Sequence, residues 1–257
     1  HNNLFKRSYN KGMSKMNYII AISKYVKDSI SKIYNIDKKK IFIIHRGVDT
    51  NFFQPNIISE NDFVNFVYKF NLPSDKKIIL FPGRITEWKG QIEFLDVLKN
   101  CNLNEILCIF AGDIKNNSYS KKLEKMIYKN GLNSVCKIIG DIDINDLKFM
   151  YKISDVIISA PLKPEGFGRI ISEGLSMEKI VLSYNFGGAQ EQISNLSEIY
   201  AVNPLDKKDM LKKINSIFEL SPHKIQSLGK LARDHIINNF SKEKMIKKYI
   251  NFYTKHI

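Results

Sequence analysis

The sequence has little of several features that would define its class by themselves. Its three cysteines, Cys101, Cys108 and Cys136, have spacings that fit neither a disulfide framework nor a metal site, which predicts buried thiols in a reducing compartment. No apolar run is long enough to cross a bilayer, and the polar, basic first residues do not resemble a secretory signal. These absences disfavour disulfide-rich secreted domains and membrane-spanning proteins.

Several common catalytic and binding motifs are also missing. The five histidines are His1, His45, His223, His235 and His256. They have no metal-ligand spacing, and the chain has neither a P-loop nor a nucleophile elbow. The aromatic and basic motifs of nucleic-acid-binding domains are absent as well, so we expect no nucleic-acid partner.

Acidic residues are fewer than basic ones. The chain has 26 Asp and Glu against 40 Lys and Arg, which gives a formal net charge of +14. One explanation is the lysine-rich codon usage of an A+T-rich genome. The other is attraction to anionic partners, such as a nucleotide or an acidic membrane surface.

The chain does contain a regular alternation of short apolar strands and amphipathic helices. The predicted strands are residues 18–23, 40–45, 77–81, 105–111, 135–139, 155–159, 180–183 and 199–202. The predicted helices include residues 24–34, 60–68, 89–98, 118–130, 145–153 and 242–256, and one that ends near residue 177. This alternation predicts an α/β fold with a doubly wound parallel sheet.

Four predicted loops with glycine follow predicted strands, at residues 82–89, 140–143, 165–168 and 187–188. Ligands of doubly wound sheets bind at the carboxyl ends of the strands. We therefore expect these loops to converge on one crevice.

The most informative of these segments is EGFGRIISE, residues 165–173. A glycine turn at the start of a helix offers free backbone N–H groups to an anion such as a pyrophosphate. Eight residues of helix rise about 12 Å, which would place Glu165 at a sugar and Glu173 at a ribose beyond the phosphates. The segment predicts a site for a sugar nucleotide, and the alternative is an exposed acidic loop followed by an ordinary surface glutamate.

Five segments resemble, in order, the motifs of one known family. They are residues 19–23 (IIAIS), 47–55 (GVDTNFFQP), 82–90 (PGRITEWKG), 165–173 (EGFGRIISE) and 187–191 (GGAQE). The chain thus resembles the retaining GT-B glycosyltransferases of the large bacterial family of the "glycosyl transferases group 1" type, which has an E-x7-E motif. This family includes lipopolysaccharide and cell-surface sugar transferases. Arg46 stands where the family usually has Asn before Gly47.

The resemblance implies two Rossmann-like domains with the active site between them. Residues 1–55 would be the end of the N-terminal acceptor domain and a linker. Residues 56–240 would be the complete nucleotide-sugar donor domain, and residues 241–257 a closing helix that packs back towards the N-terminal domain. We therefore expect the chain to be truncated at its N-terminus and to lack the acceptor site.

The resemblance also implies a role for individual residues. Glu165 would orient the donor sugar near its anomeric carbon, while Arg84 and Lys89 would bind the pyrophosphate and stabilise the leaving diphosphate. Glu173 would accept hydrogen bonds from the ribose hydroxyls. The other implied donor-binding residues are Gly83, Gly140, Ile142, Gly166, Phe167, Gly168, Ile170, Gly187 and Gly188. A plain turn is the alternative for the last two.

An Asp-x-Asp triplet, Asp141 to Asp143, is a metal-binding motif in another glycosyltransferase fold. Here its position matches the loop that binds the nucleotide base in GT-B enzymes, and Asp143 is also a suitable N-cap for the next helix. The resemblance thus implies metal-independent transfer without a cofactor, from a UDP- or GDP-sugar to a glycan or glycolipid acceptor. The expected location is the cytoplasm, at the inner face of the plasma membrane.

Two other functional classes stay open at this point. The chain would be a truncated nucleotide-sugar-binding remnant without turnover, or a basic peripheral membrane protein with a vestigial site.

Overall fold

The strands form two parallel sheets in this computed structural model, which describes residues 8–114, 118–196 and 198–256. The strands are β1 (Ile19–Ala21), β2 (Ile41–Ile43), β3 (Lys77–Pro82), β4 (Ile106–Ala111), β5 (Cys136–Gly140), β6 (Val156–Ser159), β7 (Ile180–Tyr184) and β8 (Ala201–Val202). Strands β1 and β2 pair with each other, and the other six lie in the order β5-β4-β3-β6-β7-β8. Each of these strand pairs is parallel.

Helices connect the strands and follow the last of them. They are α1 (Lys24–Tyr34), α2 (Glu60–Lys69), α3 (Gln91–Leu98), α4 (Ser118–Lys129), α5 (Ile144–Ile153), α6 (Arg169–Ser176), α7 (Gly187–Ile193), α8 (Lys207–Phe218), α9 (Pro222–Phe240) and α10 (Lys242–His256). Helix α3 begins two residues later than the sequence predicts. The reason is a short 3-10 turn, Glu87–Lys89, which ends on Gly90 in the left-handed conformation (φ +83°).

The strand order confirms the doubly wound sheet and locates its reversal point. From β3 the chain proceeds to β4 and β5 on one side, and then returns to build β6, β7 and β8 on the other. A crevice opens at the carboxyl ends of the two strands where the direction reverses, and ligands bind there in this architecture. Those strands are β3 and β6, so residues 83–89 and 160–168 flank the crevice.

Strands of the larger sheet are apolar runs in the sequence because they are buried. All residues of β4, β6 and β7 are buried, because helices cover both faces of the sheet. The smaller sheet has a separate core formed by Ile19, Ala21, Ile36 and Ile41.

The last helix returns to the smaller sheet. The Val48 N–H group donates to the Phe240 carbonyl at 2.9 Å, and the Lys242 N–H group donates to the Val48 carbonyl at 2.8 Å. Farther along α10, the Phe252 ring packs on Phe42 and Tyr18, with centroids 5.0 and 5.9 Å apart. Helix α10 therefore packs against β1 and β2. The assignment of functional domains to residues 1–55, 56–240 and 241–257 stays a prediction.

The expectation of three buried thiols is wrong for two of them. Cys108 lies in the middle of the sheet and is buried, but Cys136 begins the edge strand β5 and Cys101 follows α3, so both are half-buried. Partial burial still raises the pKa of the Cys101 thiol to about 11.

As for membrane spans, no helix within the described ranges has both the length and the apolar composition to cross a bilayer.

Candidate functional site

Close backbone contacts bring the predicted loops to the carboxyl edge of the larger sheet. The Gly112 N–H group donates to the Gly140 carbonyl at 2.7 Å. Gly112 also lies so near Gly83 that a Cβ atom on Gly112 would be 2.0 Å from the Gly83 carbonyl oxygen. Beyond β6, the Gly188 N–H group donates to the Glu165 carbonyl at 2.8 Å. The loops thus lie together at the carboxyl edge of the sheet, and their role as one binding crevice stays a prediction.

An ion pair between Lys89 and Glu165 joins the loop that follows β3 to the loop that follows β6. The Lys89 ammonium donates to Glu165 Oε1, and the two side chains are only 13% and 8% exposed. The ammonium also lies 4.6 Å from the centroid of the Trp88 ring. The structure therefore excludes an exposed acidic loop at Glu165. If one partner of such a nearly buried pair is removed, the other keeps an unpaired charge, which destabilises the protein.

The loop that carries Lys89 is fixed against the loop that carries Glu165. The Leu162 N–H group donates to the Trp88 carbonyl at 2.7 Å. A Cβ atom on Gly90 would lie 2.4 Å from the Ala160 carbonyl oxygen, so this position requires glycine for both contact and conformation. Lys89 and Glu165 are thus held in place by backbone contacts between their loops.

Arg84 combines a fixed backbone with an exposed side chain. The amide of the fully buried Gln91 donates to the Arg84 carbonyl at 3.0 Å. Arg84 is exposed, while this hydrogen bond holds its backbone. Sequence reasoning missed Gln91, because its partner is a backbone carbonyl seven residues away and no local pattern marks such a contact.

The glycine turn stands at the start of α6. Gly168 is the N-cap residue of this helix and has a left-handed backbone (φ +86°). A Cβ atom on Gly168 would lie 3.2 Å from Glu165 Oε2, so glycine also leaves room for that carboxylate. The first N–H groups of a helix have no acceptor within the helix. The turn therefore provides backbone donors beside Glu165 and Lys89.

Glu173 is buried on α6, with 4% of the residue exposed, which excludes an ordinary surface glutamate. The Tyr151 hydroxyl donates to its Oε2 at 2.9 Å, and Arg169 donates to its Oε1 at 3.0 Å. Burial raises the pKa of Glu173, while Arg169 and the Tyr151 hydrogen bond act in the opposite direction. Burial also raises the pKa of Tyr151 well above its usual value, so its hydroxyl remains a donor.

The expected 12 Å helical separation of the two glutamates is wrong. Helix α6 begins at Arg169, so only the four steps from Arg169 to Glu173 are helical. Four steps rise about 6 Å. Glu165 instead lies before the glycine turn and faces Lys89.

The Asp-x-Asp triplet lies at the end of β5. Asp143 accepts hydrogen bonds from the N–H groups of Asn145 and Asp146 at 2.6 and 3.0 Å, which confirms it as the N-cap of α5. These bonds hold the pKa of Asp143 below its usual value. Ile142 is half-buried against the main core, and Gly140 has a positive φ of +81°. In the portion of the chain covered by the structure, no group of three or more His, Cys, Asp or Glu side chains is placed to hold a metal ion.

Glu191 joins the smaller sheet to the crevice. Its carboxylate accepts hydrogen bonds from the N–H groups of Lys24 and Tyr25, at 2.9 and 3.1 Å, at the start of α1. It also lies 2.8 Å from His45 Nε2, just after β2. The sequence indicated Glu191 only as a motif position, and it gave no signal for His45.

A second groove lies at the opposite edge of the larger sheet. Its lining includes Phe63, Val67 and Leu72, together with Lys77 and Asp155 at the start of β3 and just before β6. These positions are at the amino ends of the strands. Because ligands of doubly wound sheets bind at the carboxyl ends, the crevice at Lys89 and Glu165 is the candidate site.

The doubly wound sheet, with a glycine turn at its reversal point, is the Rossmann-like architecture of GT-B glycosyltransferases. The sequence profile described as "Glycosyl transferases group 1" matches residues 64–235, and that described as "Glycosyltransferase Family 4" matches residues 1–52. The chain belongs to the glycosyl transferases group 1 family.

Relatives in sequence are also glycosyltransferases. The uncharacterized glycosyltransferase MJ1607 of Methanocaldococcus jannaschii is 29% identical over 194 residues, which are 72% of this chain and 47% of the relative. The O-antigen chain mannosyltransferase RfbU of Salmonella typhimurium is 26% identical over 203 residues, or 79% of this chain and 51% of the relative. The chain therefore spans about half the length of these relatives.

Solved structures show the same fold over nearly the whole chain. A glycosyltransferase from Rickettsia africae has 34% sequence identity and a TM-score of 0.89, and the match covers 99% of this chain and 67% of that one. Anabaena HepE in complex with UDP and glucose has 20% identity and a TM-score of 0.86, with 97% of this chain and 67% of that one covered. At this lower identity, the second likeness concerns the fold alone.

Proposed function

We propose that this chain carries the donor site of a retaining, metal-independent hexosyltransferase. The full-length enzyme transfers a hexose from a UDP- or GDP-sugar to a lipopolysaccharide or other surface glycan and keeps the α configuration. The observation that carries this proposal is the nearly buried Lys89–Glu165 pair beside the glycine turn of α6, at the reversal point of the sheet. Residues 56–240 are the donor domain in this proposal, and residues 1–55 are the end of the acceptor domain.

The donor occupies the crevice with its diphosphate at the start of α6. Backbone N–H groups of Gly166, Phe167 and Gly168 bind the phosphate oxygens, since a helix N-terminus favours an anion. Arg84 and Lys89 supply positive charge at the same place, which is the role that a divalent metal has in other glycosyltransferases. Gly83, Gly140, Ile142, Ile170, Gly187 and Gly188 complete the proposed donor contacts.

The two glutamates contact different parts of the donor. Glu165 orients the sugar hydroxyls near the anomeric carbon, and Glu173 accepts hydrogen bonds from the ribose hydroxyls. The Tyr151 hydrogen bond orients the Glu173 carboxylate for this purpose.

Transfer is a substitution on one face of the sugar. The acceptor hydroxyl attacks the anomeric carbon from the side of the leaving group, and the bond from that carbon to the diphosphate oxygen breaks. The departing diphosphate takes the acceptor's proton, and the new glycosidic bond keeps the α configuration. Arg84, Lys89 and the turn N–H groups stabilise the charge that develops on the diphosphate.

The donor site is tested by calorimetric titration of the chain with UDP and with GDP in the presence of EDTA. We expect one nucleotide to bind in the micromolar range, and the HepE complexes with UDP make UDP the first choice. A hydrogen bond to a charged group contributes about 1.5–3 kcal/mol, so Arg84→Ala should raise the Kd at least about tenfold. The exposed Lys121→Ala on α4 is the matched control.

Two results would contradict this proposal. One is that neither nucleotide binds, and the other is that Arg84→Ala binds as tightly as Lys121→Ala. Association with an anionic membrane surface, which belongs to one of the two explanations of the net charge, stays a prediction.

The ribose assignment gives a separate prediction for Glu173→Ala. We expect the Kd for UDP to rise about tenfold, because a charge-assisted hydrogen bond to the ribose is lost. The preference for UDP over 2′-deoxy-UDP should disappear in the variant, while the exposed Glu124→Ala keeps it. Thermal unfolding is recorded in parallel, since the substitution also leaves the buried Tyr151 hydroxyl without its acceptor. An unchanged affinity for UDP in Glu173→Ala would rule out this assignment.

A further inference from the structure

Gln192 on α7 lies directly behind the glycine turn. Its side chain is fully buried, and Nε2 donates to the Phe167 carbonyl at 2.5 Å and to the Gly168 carbonyl at 3.2 Å. Only the nitrogen end of a glutamine amide can donate, so the two carbonyl acceptors determine which end of the side chain faces the turn. Gln192 thus holds two successive peptide groups of the proposed phosphate site.

The orientation of those peptide groups follows from their geometry. In a planar trans peptide, the carbonyl and the N–H group of the next residue point in opposite directions. Because Gln192 holds the carbonyls of Phe167 and Gly168, the N–H groups of Gly168 and Arg169 point away from α7. Successive N–H groups that point to the same side form a concave site for an anion.

Helix α7 is itself held at both of its ends. Near its start, a Cβ atom on Gly188 would lie 2.2 Å from the Gly166 carbonyl oxygen, so the helix is in close contact with the turn. Near its end, Glu191 accepts hydrogen bonds from the N–H groups of Lys24 and Tyr25. Gln192 therefore extends from a fixed element, which is the support that a binding site requires.

The oxygen end of the Gln192 amide loses its hydration without gaining a hydrogen bond among the described residues. Its Oε1 atom is buried and has no hydrogen-bond partner among the residues that the structure describes. An apolar side chain of similar size would avoid this loss of hydration. The hydrogen bonds of Nε2 to the turn account for the presence of glutamine at this buried position.

We infer that Gln192 is a positioning residue for the donor diphosphate, which acts through the Phe167 and Gly168 peptides without touching the ligand. The inference rests on the proposed donor site. Gln192 should therefore affect the binding of the diphosphate and not that of the nucleoside, because the turn contacts only the diphosphate.

The test compares UDP with uridine in the unchanged chain and in Gln192→Met, with binding followed by calorimetry and ligand-observed NMR. Methionine has a similar length and is apolar, but it lacks both N–H donors. We expect the Kd for UDP to rise about tenfold, while the affinity for uridine stays unchanged. The matched control is Gln190→Met, on the exposed side of the same helix, which should bind both ligands like the unchanged chain.

If Gln192→Met weakens the binding of UDP and of uridine equally, the role of Gln192 is merely structural and the inference is overturned. An unchanged Kd for UDP also overturns it. If the unchanged chain binds neither UDP nor GDP, the donor site itself is wrong, so this failure is distinguished from the other two. Circular dichroism shows whether Gln192→Met folds. If it does not, Gln192→Asn serves instead: its amide is one methylene too short for the turn, so a selective loss of UDP binding supports the inference and full affinity overturns it.

Discussion

Glu165→Ala is expected to abolish sugar transfer by the full-length enzyme. Loss of one preorganised electrostatic contact to a transition state lowers kcat by roughly 10²–10³, and Glu165 also orients the sugar. The substitution further leaves the Lys89 ammonium unpaired in a place where its side chain is only 13% exposed. An unpaired charge in such a position changes the electrostatics that the leaving diphosphate experiences.

The measurement is the rate of transfer at saturating donor, with the donor Kd determined separately. Glu165→Gln keeps the shape of the side chain and removes its charge, and it should show a similar loss of kcat. The exposed Glu124→Ala should transfer at the unchanged rate. A kcat of Glu165→Ala within about twofold of that of the unchanged enzyme would exclude a catalytic role for this carboxylate.

Gly188→Ala is expected to weaken both folding and donor binding. A Cβ atom on Gly188 would lie 2.2 and 2.6 Å from the carbonyl oxygen and carbon of Gly166, and 2.8 Å from Phe167 Cα. These are backbone atoms, so no side chain can rotate to relieve the contact and the glycine turn itself must move. Overpacking costs about 1–3 kcal/mol, which corresponds to a fall in Tm of roughly 5 °C.

Differential scanning calorimetry and a UDP titration measure the two effects, and we expect UDP affinity to fall more than tenfold because the turn is displaced. Gly12→Ala is the control, since a Cβ atom placed there has no heavy atom within 4 Å among the described residues beyond its own short helix and chain neighbours. The account of the turn is wrong if Gly188→Ala keeps both the Tm and the UDP affinity of the control.

The sequence predicted the fold best where local patterns agree with burial. The bounds of α1 and α10 were predicted correctly, and the structure shows Ser23 as the N-cap of α1, which accepts a hydrogen bond from the Val26 N–H group. The 3-10 turn before α3 was missed, because helical spacing of apolar residues continues through it. The order of the six strands results from contacts between distant segments, which no local pattern records.

The candidate site shows the same division. Lys89, Glu165 and Glu173 stand near strand ends and glycine turns, so their positions could be predicted from short contiguous segments. The supporting residues Gln91, Tyr151 and Gln192 could not, because each acts through hydrogen bonds to residues at least seven positions away in the sequence. The structure pairs Lys89 with Glu165, and the roles of the predicted residues stay predictions.

The most direct test of the donor site is a map of backbone amide shifts of the 15N-labelled chain during titration with UDP. The account predicts the largest changes at Gly166, Phe167 and Gly168 in the glycine turn, at Arg169 directly after it, and at Lys89 across the crevice. It would be contradicted by changes confined to the groove at the opposite edge of the sheet, where Phe63 and Lys77 lie.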